Sequence, residues 1–428
     1  MRILHVTQRY WPARGGAETL LEEIASRLAA DGHQVTVAST DALDFELFWD
    51  PARRRVTQRE EIHRGVRVLR FPVRHLPIPR LSYPAIRRLL WLLSALRPVP
   101  VKALYKLARF TPWVPELYDW LASTDEPFDL VTGTTVCFEP LAEAGLRLAR
   151  RRGVPFAFCP LTHLGAGDEP GKDALSRFYT MRHQASLVRA SDAVVALTPS
   201  EGTFYEHKGI DKKRILVAGP GIDPADVLGG DRESFRHQHN LSGPVIACLS
   251  AMAYDKGTIH LVEAMRRLWQ TDVQAELVLA GAVLSPFQRY LEGLPDGDRQ
   301  RLHVLGSITE AEKRDLLAGC DIFAMPSRTE SFGIVYLEAW LNEKPVIGAR
   351  SWAIRDVIDD GKDGLLIPFG DVQALAQAIQ RFIDHPDERR AFGTAGRQKV
   401  EKVYTWDRKY GLVKNLYERL PEDREAIR

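Results

Sequence analysis

The stretch CDIFAMPSRTESFGIVYLEAWLN, residues 320–342, contains a strand, a loop and a helix in sequence. Its apolar start, CDIFAMP, predicts a buried parallel strand. After the loop, Ile334 and Leu337 begin a repeat with helical spacing. The stretch therefore places one carboxylate, Glu330, in a loop and a second, Glu338, in the helix that follows it.

The start of this helix is a candidate phosphate-binding site. Free N–H groups at a helix N-terminus attract anions, and Gly333 lets the backbone approach a ligand closely. Eight positions of helical rise span about 12 Å, which suits a sugar at Glu330 and a ribose at Glu338 on either side of a pyrophosphate. The alternative is a surface helix with one glutamate favoured by the helix dipole and one on a solvated face.

Composition limits the class of protein. A chain of 428 residues with 45% hydrophobic content can bury two cores. The net charge of +2 does not indicate a nucleic-acid partner. The four cysteines show no C-x-x-C spacing, which argues against a metal site or a disulfide framework and fits a reducing cytosol. The first residues, MRILHVT, predict a strand rather than a signal peptide, and the apolar run 89–96 is too short to span a bilayer.

The first half alternates between strand and helix patterns. RILHVT, a glycine turn and a helical repeat form a β-α-β unit, and the alternation resumes from Phe128, so the first half is predicted to be doubly wound. Gly15 and Gly16 offer backbone amides before the first helix but lack G-x-G-x-x-G spacing. His163 follows the strand VPFAFCP, where ligands bind in open α/β sheets. Both features are also compatible with ordinary structural turns.

Charge is segregated between Ile62 and Pro115. This basic block has no Asp or Glu but eleven Arg or Lys residues; since the chain is +2, the remainder carries −9. Two basic helical patterns containing tryptophan suit an anionic membrane surface. The alternative is that the apolar faces pack on the first domain and the cations form a solvated rim. The candidate membrane or acceptor residues are Arg87, Arg88, Trp91, Lys102, Lys106 and Arg109.

In the second half, Lys256 stands with Gly257 at the entrance of a predicted helix, where an ammonium group suits a pyrophosphate. The D-x-D sequence Asp296–Asp298 lies among turn residues and predicts a surface loop rather than a metal site. We therefore expect no metal cofactor.

The motifs together resemble family 4 of the glycosyltransferases, retaining enzymes of the GT-B fold. Glu330 and Glu338 resemble the E-x7-E motif of that family, Gly15–Gly16 its glycine loop, and His163 the histidine near the donor sugar. The chain departs from the family at Ala251, where an arginine is usual. It also departs at residues 351–356, SWAIRD, which replace a glycine pair and a glutamate, and at Pro220 in place of asparagine.

The resemblance implies an α/β protein with two Rossmann-like doubly wound domains facing a cleft. It places an acceptor-side domain at residues 1–222, with the basic block as an insertion at 62–115, and a linker at 223–243. A nucleotide-sugar-binding domain follows at 244–403, and a C-terminal helix at 404–428 returns to the first domain.

The resemblance also implies retaining, metal-independent transfer of a sugar from a nucleotide-diphosphate sugar to a glycan, a lipid or a lipid-linked sugar. Glu330 would bind the donor-sugar hydroxyls, Glu338 the ribose, Lys256 the leaving diphosphate and His163 the transferred sugar. The donor-binding set is Gly15, Gly16, Lys256, Glu330, Ser331, Phe332, Gly333, Ile334 and Glu338; the catalytic set is Glu330, His163 and Lys256.

Three alternatives remain open at this point. Ala251 and the SWAIRD segment favour a catalytically silent subunit that binds nucleotide sugars. The basic block suits a soluble anionic acceptor as well as a membrane. A phosphorylase or an epimerase can use the same fold. We expect a cytoplasmic protein, on the inner face of the membrane if the basic block docks there.

Overall fold

The computed structural model describes residues 1–425, which form two compact units. Unit 1 contains Met1–His163, Ala174–Gly219 and the chain from Lys409 onward, and unit 2 contains Leu164–Asp173 and Pro220–Arg408. The division near residue 220 lies close to the predicted domain boundary. The segment 164–173 differs from the prediction, since it groups with unit 2.

Unit 1 is built on an eight-stranded sheet with the order β3-β4-β2-β1-β5-β6-β7-β8. Neighbouring strands are parallel except for β3 and β4. Its central strands are apolar and buried, as expected for a sheet covered on both faces. The strands are β1 Arg2–Val6, β2 Gln34–Thr40, β3 Glu60–His63, β4 Val66–Phe71, β5 Leu130–Thr134, β6 Phe156–Cys159, β7 Ala193–Ala196 and β8 Ile215–Val217.

The connections of unit 1 are mostly helical. The helices are α1 Gly16–Ala30, α2 Pro79–Ala95, α3 Val101–Ala108, α4 Pro115–Ser123, α5 Glu139–Arg152, α6 Arg182–Ala190 and α7 Pro199–His207. The doubly wound pattern predicted for the first half is therefore present.

The basic block begins inside the sheet rather than as an insertion. Its residues 66–71 form β4, which pairs with β2 in a register that sets Arg67 opposite Thr36. The later part forms α2 and α3, which share a buried apolar cluster with Met181. One face of α2 stays exposed, because Leu81 and Leu92 are 67% and 53% accessible.

Unit 2 has a six-stranded parallel sheet with the order β11-β10-β9-β12-β13-β14. The chain runs outward from β9 in one direction and from β12 in the other, so the strand order reverses between these two strands. The strands are β9 Val245–Leu249, β10 Glu276–Ala280, β11 Leu302–Gly306, β12 Ile322–Met325, β13 Val346–Ala349 and β14 Gly364–Ile367. In open α/β sheets, ligands bind at such a switch point.

The helices of unit 2 include the segment predicted as a linker. They are α8 Pro224–Val227, α9 Arg232–Gln238, α10 Thr258–Trp269, α11 Ser285–Glu292, α12 Asp296–Arg299, α13 Glu310–Gly319, α14 Ile334–Leu341, α15 Val372–Asp384 and α16 Pro386–Val403. Residues 223–243 thus contain α8 and α9, and Phe235 of α9 is buried against Gly319. The D-x-D sequence is the helical turn α12 rather than a loop, and its Asp298 binds Arg266 at 2.6 Å.

The last helix, α17 Trp406–Glu425, contributes to unit 1 from Lys409 onward. Tyr410 and Lys414 each donate a hydrogen bond of 2.6 Å to Asp31. The Tyr417 ring lies 6.2 Å from that of His5 in the first strand. The predicted return of this helix to the first domain agrees with these contacts; residues 426–428 lie outside the described residues.

Over residues 1–425, the structure has no helix that is both long and apolar enough to cross a membrane.

Candidate active site

Two loops meet at the strand switch of unit 2. Residues 250–257 follow β9, and residues 326–333 follow β12. Gly257 has a φ of 75°, and a Cβ there would collide with the carbonyl of Pro326. This glycine therefore allows the two loops to pack directly against each other.

The second loop ends at an open helix start. Gly333 has a φ of 86°, and a Cβ there would lie 2.7 Å from the Tyr336 ring. Within the described chain, the N–H groups of Gly333, Ile334 and Val335 donate no hydrogen bond. Unpaired N–H groups at a helix start can bind a phosphate. Phe332 offers only its backbone, because its ring is buried against Tyr404 at 5.6 Å.

Glu330 and Lys256 join the two loops through an ion pair. The Lys256 ammonium lies 2.6 Å from Glu330 Oε1 and donates a second hydrogen bond of 2.9 Å to the Thr329 carbonyl. Both side chains keep partial access to solvent, 26% for Lys256 and 15% for Glu330. The structure thus brings together two residues that stand 74 positions apart in the sequence.

Glu338 is held by a lysine that the sequence analysis did not identify. Lys313 of α13 donates a hydrogen bond of 2.8 Å to Glu338 Oε1, while Glu338 Oε2 is buried and has no partner in the described chain. Burial lowers the pKa of Lys313, but Glu338 and Glu310 more than offset burial, so this pKa lies above its usual value. No local sequence signal marks Lys313, since the pair joins residues 25 positions apart.

The SWAIRD segment follows β13 and contacts the same helix start. The Ile354 side chain lies 3.1 Å from the position that a Cβ of Gly333 would take. The next residue, Arg355, is exposed and stacks its guanidinium 3.9 Å from the Trp352 ring. Ser351 is buried, and its hydroxyl has no partner within the described residues. The departure from the family pattern therefore adds a cation, Arg355, directly after the residue that packs on the helix start, and the sequence analysis did not identify it.

Trp352 also anchors the segment 164–173. Its backbone N–H donates a hydrogen bond of 2.9 Å to the Gly165 carbonyl, and its indole N–H donates one of 2.9 Å to the Gly167 carbonyl. These bonds explain why the segment groups with unit 2.

The predicted site residues Gly15, Gly16 and His163 belong to unit 1. A Cβ at Gly15 would collide with the Glu18 carboxylate, which accepts 2.9 Å from Arg9, so glycine is required there for packing. The His163 ring stacks on Tyr179 with 4.6 Å between the ring centroids.

The charge of the basic block is largely neutralised in the fold. Six of its eleven cations form ion pairs with carboxylates: Arg64, Arg67, Arg70, Arg74, Arg80 and Arg87. Arg87, predicted at a membrane or acceptor surface, has its guanidinium 2.7 Å from the buried Glu139, so this cation is paired inside the fold. Trp91 is half-buried, with Arg177 4.3 Å from its ring, and it packs on the cluster between α2 and α3.

The remaining five cations have no ion pair with the side chains that the structure describes, those of residues 1–422. They are Arg88, Arg97, Lys102, Lys106 and Arg109. Lys102 and Lys106 are exposed, whereas Arg109 is half-buried over the Tyr118 ring at 5.2 Å. The cationic surface is therefore smaller than the sequence suggests.

The described chain also holds no group of three or more His, Cys, Asp or Glu side chains arranged to bind a metal.

Comparison with known proteins gives matches to two domain families. Residues 15–221 match the glycosyl transferase 4-like domain, and residues 231–399 match the glycosyl transferases group 1. Only residues 1–14, 222–230 and 400–428 fall outside the two matches.

Curated relatives match parts or most of the chain. A GDP-mannose-dependent monoacylated alpha-(1-6)-phosphatidylinositol monomannoside mannosyltransferase of Corynebacterium glutamicum is 31% identical over 47% of this chain and 53% of its own. For the first four such relatives, the match covers between 47% and 62% of the relative. The GDP-mannose-dependent alpha-(1-6)-phosphatidylinositol monomannoside mannosyltransferase of Mycobacterium tuberculosis is 28% identical over 95% of both chains.

Among solved structures, HepE of Anabaena in complex with UDP is 20% identical and has a TM-score of 0.69. The match covers 98% of this chain and 100% of that chain. This similarity shows the fold.

The fold defines a class, that of GT-B proteins with two Rossmann-like parallel-sheet units. The chain contains, in this order, a glycosyl transferase 4-like domain and a glycosyl transferases group 1 domain.

Proposed function

We propose that this protein transfers a sugar from a nucleotide-diphosphate sugar to an acceptor hydroxyl, with retention of anomeric configuration and without a metal ion. The observation that carries the proposal is the pair of glutamates around an open helix start, each held by its own lysine. Glu330 binds Lys256 at 2.6 Å, and Glu338 binds Lys313 at 2.8 Å.

The leaving diphosphate is the centre of the proposed mechanism. An acceptor oxygen bonds to the anomeric carbon on the face that the diphosphate leaves; the carbon–oxygen bond to the diphosphate breaks, and the hydroxyl proton passes to the diphosphate. The unpaired N–H groups of Gly333, Ile334 and Val335 and the ammonium of Lys256 stabilise the charge that develops. Arg355 supplies a second cation in place of the arginine missing at Ala251.

The two glutamates have separate roles in this proposal. Glu330 binds hydroxyl groups of the transferred sugar. Glu338 Oε2, buried without a partner, accepts hydrogen bonds from the ribose. A buried carboxylate oxygen without a partner is unfavourable, so a ligand hydroxyl that pairs with it gains free energy.

Donor and acceptor classes are proposed from the relatives. Two of them are GDP-mannose-dependent mannosyltransferases that act on phosphatidylinositol monomannosides. We therefore place GDP-mannose first among the donors to assay, and a lipid-linked sugar first among the acceptors.

Docking at an anionic membrane is part of the same proposal. The exposed face of α2 carries Leu81 and Leu92, and Leu96 just beyond the helix is 54% accessible. Lys102 and Lys106 of α3 follow. Exposed leucines beside lysines suit the interface of a bilayer that contains acidic lipids. The protein would then act as a peripheral protein on the cytoplasmic face.

Donor hydrolysis tests the proposal directly. The purified protein is incubated with GDP-mannose, UDP-glucose and ADP-glucose, with and without vesicles of extracted lipid, and released nucleotide and transferred sugar are measured. We expect one donor to be consumed, and its sugar to appear on the lipid with an unchanged anomeric configuration. Tight nucleotide binding with neither hydrolysis nor transfer would instead favour a catalytically silent binding subunit.

A further inference from the structure

Unit 1 contains a cavity of about 460 Å³ near the ends of its strands. One part of its wall follows β2 and includes Phe45 and Trp49; another follows β5 and includes Phe138. Helix α2 and the connection between β6 and α6 complete the wall. The carboxyl ends of parallel strands are the edge at which open α/β sheets bind ligands.

Aromatic rings make up much of this wall. Phe45 meets Trp49 edge to face at 5.4 Å and Phe138 edge to face at 5.8 Å, and the Tyr83 ring of α2 lies 5.7 Å from Trp49. The Phe45 and Phe138 rings offer flat apolar surface, and Trp49 and Tyr83 add a polar group at the ring edge. A sugar or cyclitol ring has the same character, with apolar C–H faces and hydroxyl groups around its edge.

Three polar groups of the wall lack a partner. Among residues 1–422, whose side chains the structure describes, the Trp49 indole N–H, the Tyr83 hydroxyl and the Arg88 guanidinium form no hydrogen bond or ion pair. Burial raises the pKa of Tyr83, so its phenol stays neutral and can both donate and accept. A few polar groups in an aromatic pocket orient a ligand, and a hydrocarbon chain would leave all three unused.

Arg88 is the arginine of this wall that is free to bind an anion. Arg80 pairs with Asp50 at 2.9 Å, and Arg87 pairs with Glu139 at 2.7 Å. A guanidinium forms two parallel hydrogen bonds with a phosphate, and Arg88 can do so without breaking an ion pair.

The cavity adjoins the candidate catalytic histidine. Tyr179 lines the cavity, and its ring stacks on His163 at 4.6 Å. A ligand against Tyr179 therefore touches the residue that stacks on the histidine proposed to contact the transferred sugar.

We propose that this cavity binds the acceptor, and that the acceptor is a ring polyol carrying a phosphate ester, such as a sugar phosphate or a cyclitol phosphate. The ring packs on the aromatic wall, its hydroxyls pair with Trp49 and Tyr83, and its phosphate pairs with Arg88. The acceptor role rests on the proposed function, whereas the binding chemistry rests on the cavity alone. A soluble sugar phosphate and the headgroup of a lipid both offer this chemistry.

Binding is measured by isothermal titration calorimetry with myo-inositol 1-phosphate, mannose 1-phosphate and glucose 1-phosphate. Free myo-inositol and inorganic phosphate serve as comparisons, because each lacks half of the recognised chemistry. We expect at least one ring phosphate to bind, and to bind more tightly than either comparison. Arg88→Gln should weaken this binding by about tenfold or more, the usual range for a hydrogen bond to a charged group.

Two further variants remove a polar group and keep the ring. Trp49→Phe and Tyr83→Phe should each weaken binding by about two- to tenfold. Arg97→Gln and Trp120→Phe are matched controls, because both residues lie in unit 1 outside the cavity wall. Thermal melting of every variant checks that a loss of binding is not a loss of folding.

Vesicles distinguish the two sources of the phosphate. A lipid headgroup is assigned if the protein binds phosphatidylinositol vesicles but neither phosphatidylglycerol vesicles nor the soluble probes, and if Arg88→Gln abolishes the binding to phosphatidylinositol vesicles. Binding of a soluble probe with the same dependence on Arg88 assigns a soluble acceptor. The proposal is overturned if no ring phosphate binds in either form, or if Arg88→Gln, Trp49→Phe and Tyr83→Phe all leave binding unchanged.

Titration with GDP and UDP separates this proposal from the proposed function. If a nucleotide binds and no ring phosphate does, the cavity has been misassigned and the donor site stands. If a ring phosphate binds through Arg88 and neither nucleotide binds, the proposed binding role of the cavity is supported. Sugar transfer from donors built on these nucleotides is then contradicted.

Discussion

The ammonium of Lys256 lies 2.6 Å from Glu330 Oε1, so the two charged groups at the strand switch of unit 2 neutralise each other. A diphosphate at the start of α14 would compete with Glu330 for this ammonium. Glu330 would then be free to accept hydrogen bonds from sugar hydroxyls. Lys256 therefore links the proposed diphosphate and sugar sites, because its ammonium can pair with either the diphosphate or Glu330.

Glu330→Ala and Glu338→Ala should have different kinetic effects. Loss of Glu330 removes contacts to the reacting sugar, so turnover should fall. Loss of Glu338 removes the proposed ribose contact, so donor binding should weaken by about 1–3 kcal/mol while turnover changes less. The measurements are kcat, KM and the Kd of the donor.

Two further variants are needed for this comparison. Glu338→Ala leaves Lys313 with Glu310 as its one remaining carboxylate partner in the described chain, so Glu338→Gln and a melting curve separate donor binding from stability. Glu292→Ala in α11 is the matched control, since this glutamate is exposed. If both motif variants behave like Glu292→Ala, the assignment of the motif is wrong.

Arg355→Ala should weaken donor binding by about ten- to hundredfold, if Arg355 is the second cation for the diphosphate. Arg350→Ala is the control, because Arg350 follows the same strand but already pairs with Asp360 at 2.8 Å. The measurement is the Kd of the nucleoside diphosphate compared with that of the nucleoside. The nucleoside should bind both proteins equally, and an equal loss for both ligands would contradict a role at the diphosphate.

Sugar transfer should persist in excess EDTA. Fixed protein groups, namely Lys256 and the N–H groups before α14, are proposed to stabilise the leaving diphosphate. In EDTA, Lys256→Met should lower kcat by about a hundredfold, whereas Lys362→Met at an exposed position of unit 2 should not. Complete loss of transfer in EDTA, with recovery on adding magnesium or manganese, would require a metal-assisted mechanism instead.

The protein should sediment with anionic vesicles at low salt and be released as salt increases. Lys102→Glu with Lys106→Glu should reduce binding, since each cation near such a surface contributes about 1 kcal/mol. Lys212→Glu with Lys213→Glu makes the same charge change at exposed residues outside the basic block. Equal effects of the two double variants would indicate a response to net charge alone.

Exposed leucines give a second arm of this experiment. Leu81→Ser with Leu92→Ser should also reduce vesicle binding, because both side chains are more than half accessible. If the unchanged protein remains in the supernatant with anionic vesicles at low salt, the membrane proposal is wrong.

Stability should decrease as the pH falls from 6.5 towards 5, in part because of His5. Burial lowers the pKa of His5 to about 3, so below pH 6.5 the unfolded chain binds a proton that the folded chain does not. This contribution is absent above pH 6.5 and reaches about 1.4 kcal/mol for each pH unit below it.

Urea unfolding at pH 7 and pH 5 measures this effect. His5→Gln should lose about 2 kcal/mol less stability than the unchanged protein between these pH values. His237→Gln, at an exposed position, is the control and should follow the unchanged protein. Equal losses for all three proteins would show that His5 does not contribute to the pH dependence.

Local patterns predicted the parts of the fold that are determined locally. The strand before Pro326, the helix from Ile334 and the helix entrance at Lys256 all appear where the sequence places them. Their apolar spacing and glycines are properties of neighbouring residues. Glu330 and Lys256 were predicted to belong to one site, but their ion pair was not predicted. It depends on the order of the strands, which places the two loops side by side.

Long-range pairing is what the sequence could not provide. The basic block contains no Asp or Glu, yet Arg87 forms an ion pair with Glu139 and Arg80 forms one with Asp50, both outside the block. Local charge counts miss such partners because they come from other elements. Lys313 was missed for the same reason, since an amphipathic helix with a capping box gives no sign that its lysine reaches Glu338.

The bond from Lys313 to Glu338 has a consequence for the choice of nucleotide. One oxygen of Glu338 is fixed by the lysine, and the other is buried and unused in the described chain. A side chain that is already immobilised avoids an ordering cost of about 0.5–1.5 kcal/mol when a ligand binds. In the proposed ribose role, a 2′-deoxyribose would offer Oε2 one hydroxyl where ribose offers two, so the same contact would favour ribonucleotide sugars over deoxynucleotide sugars.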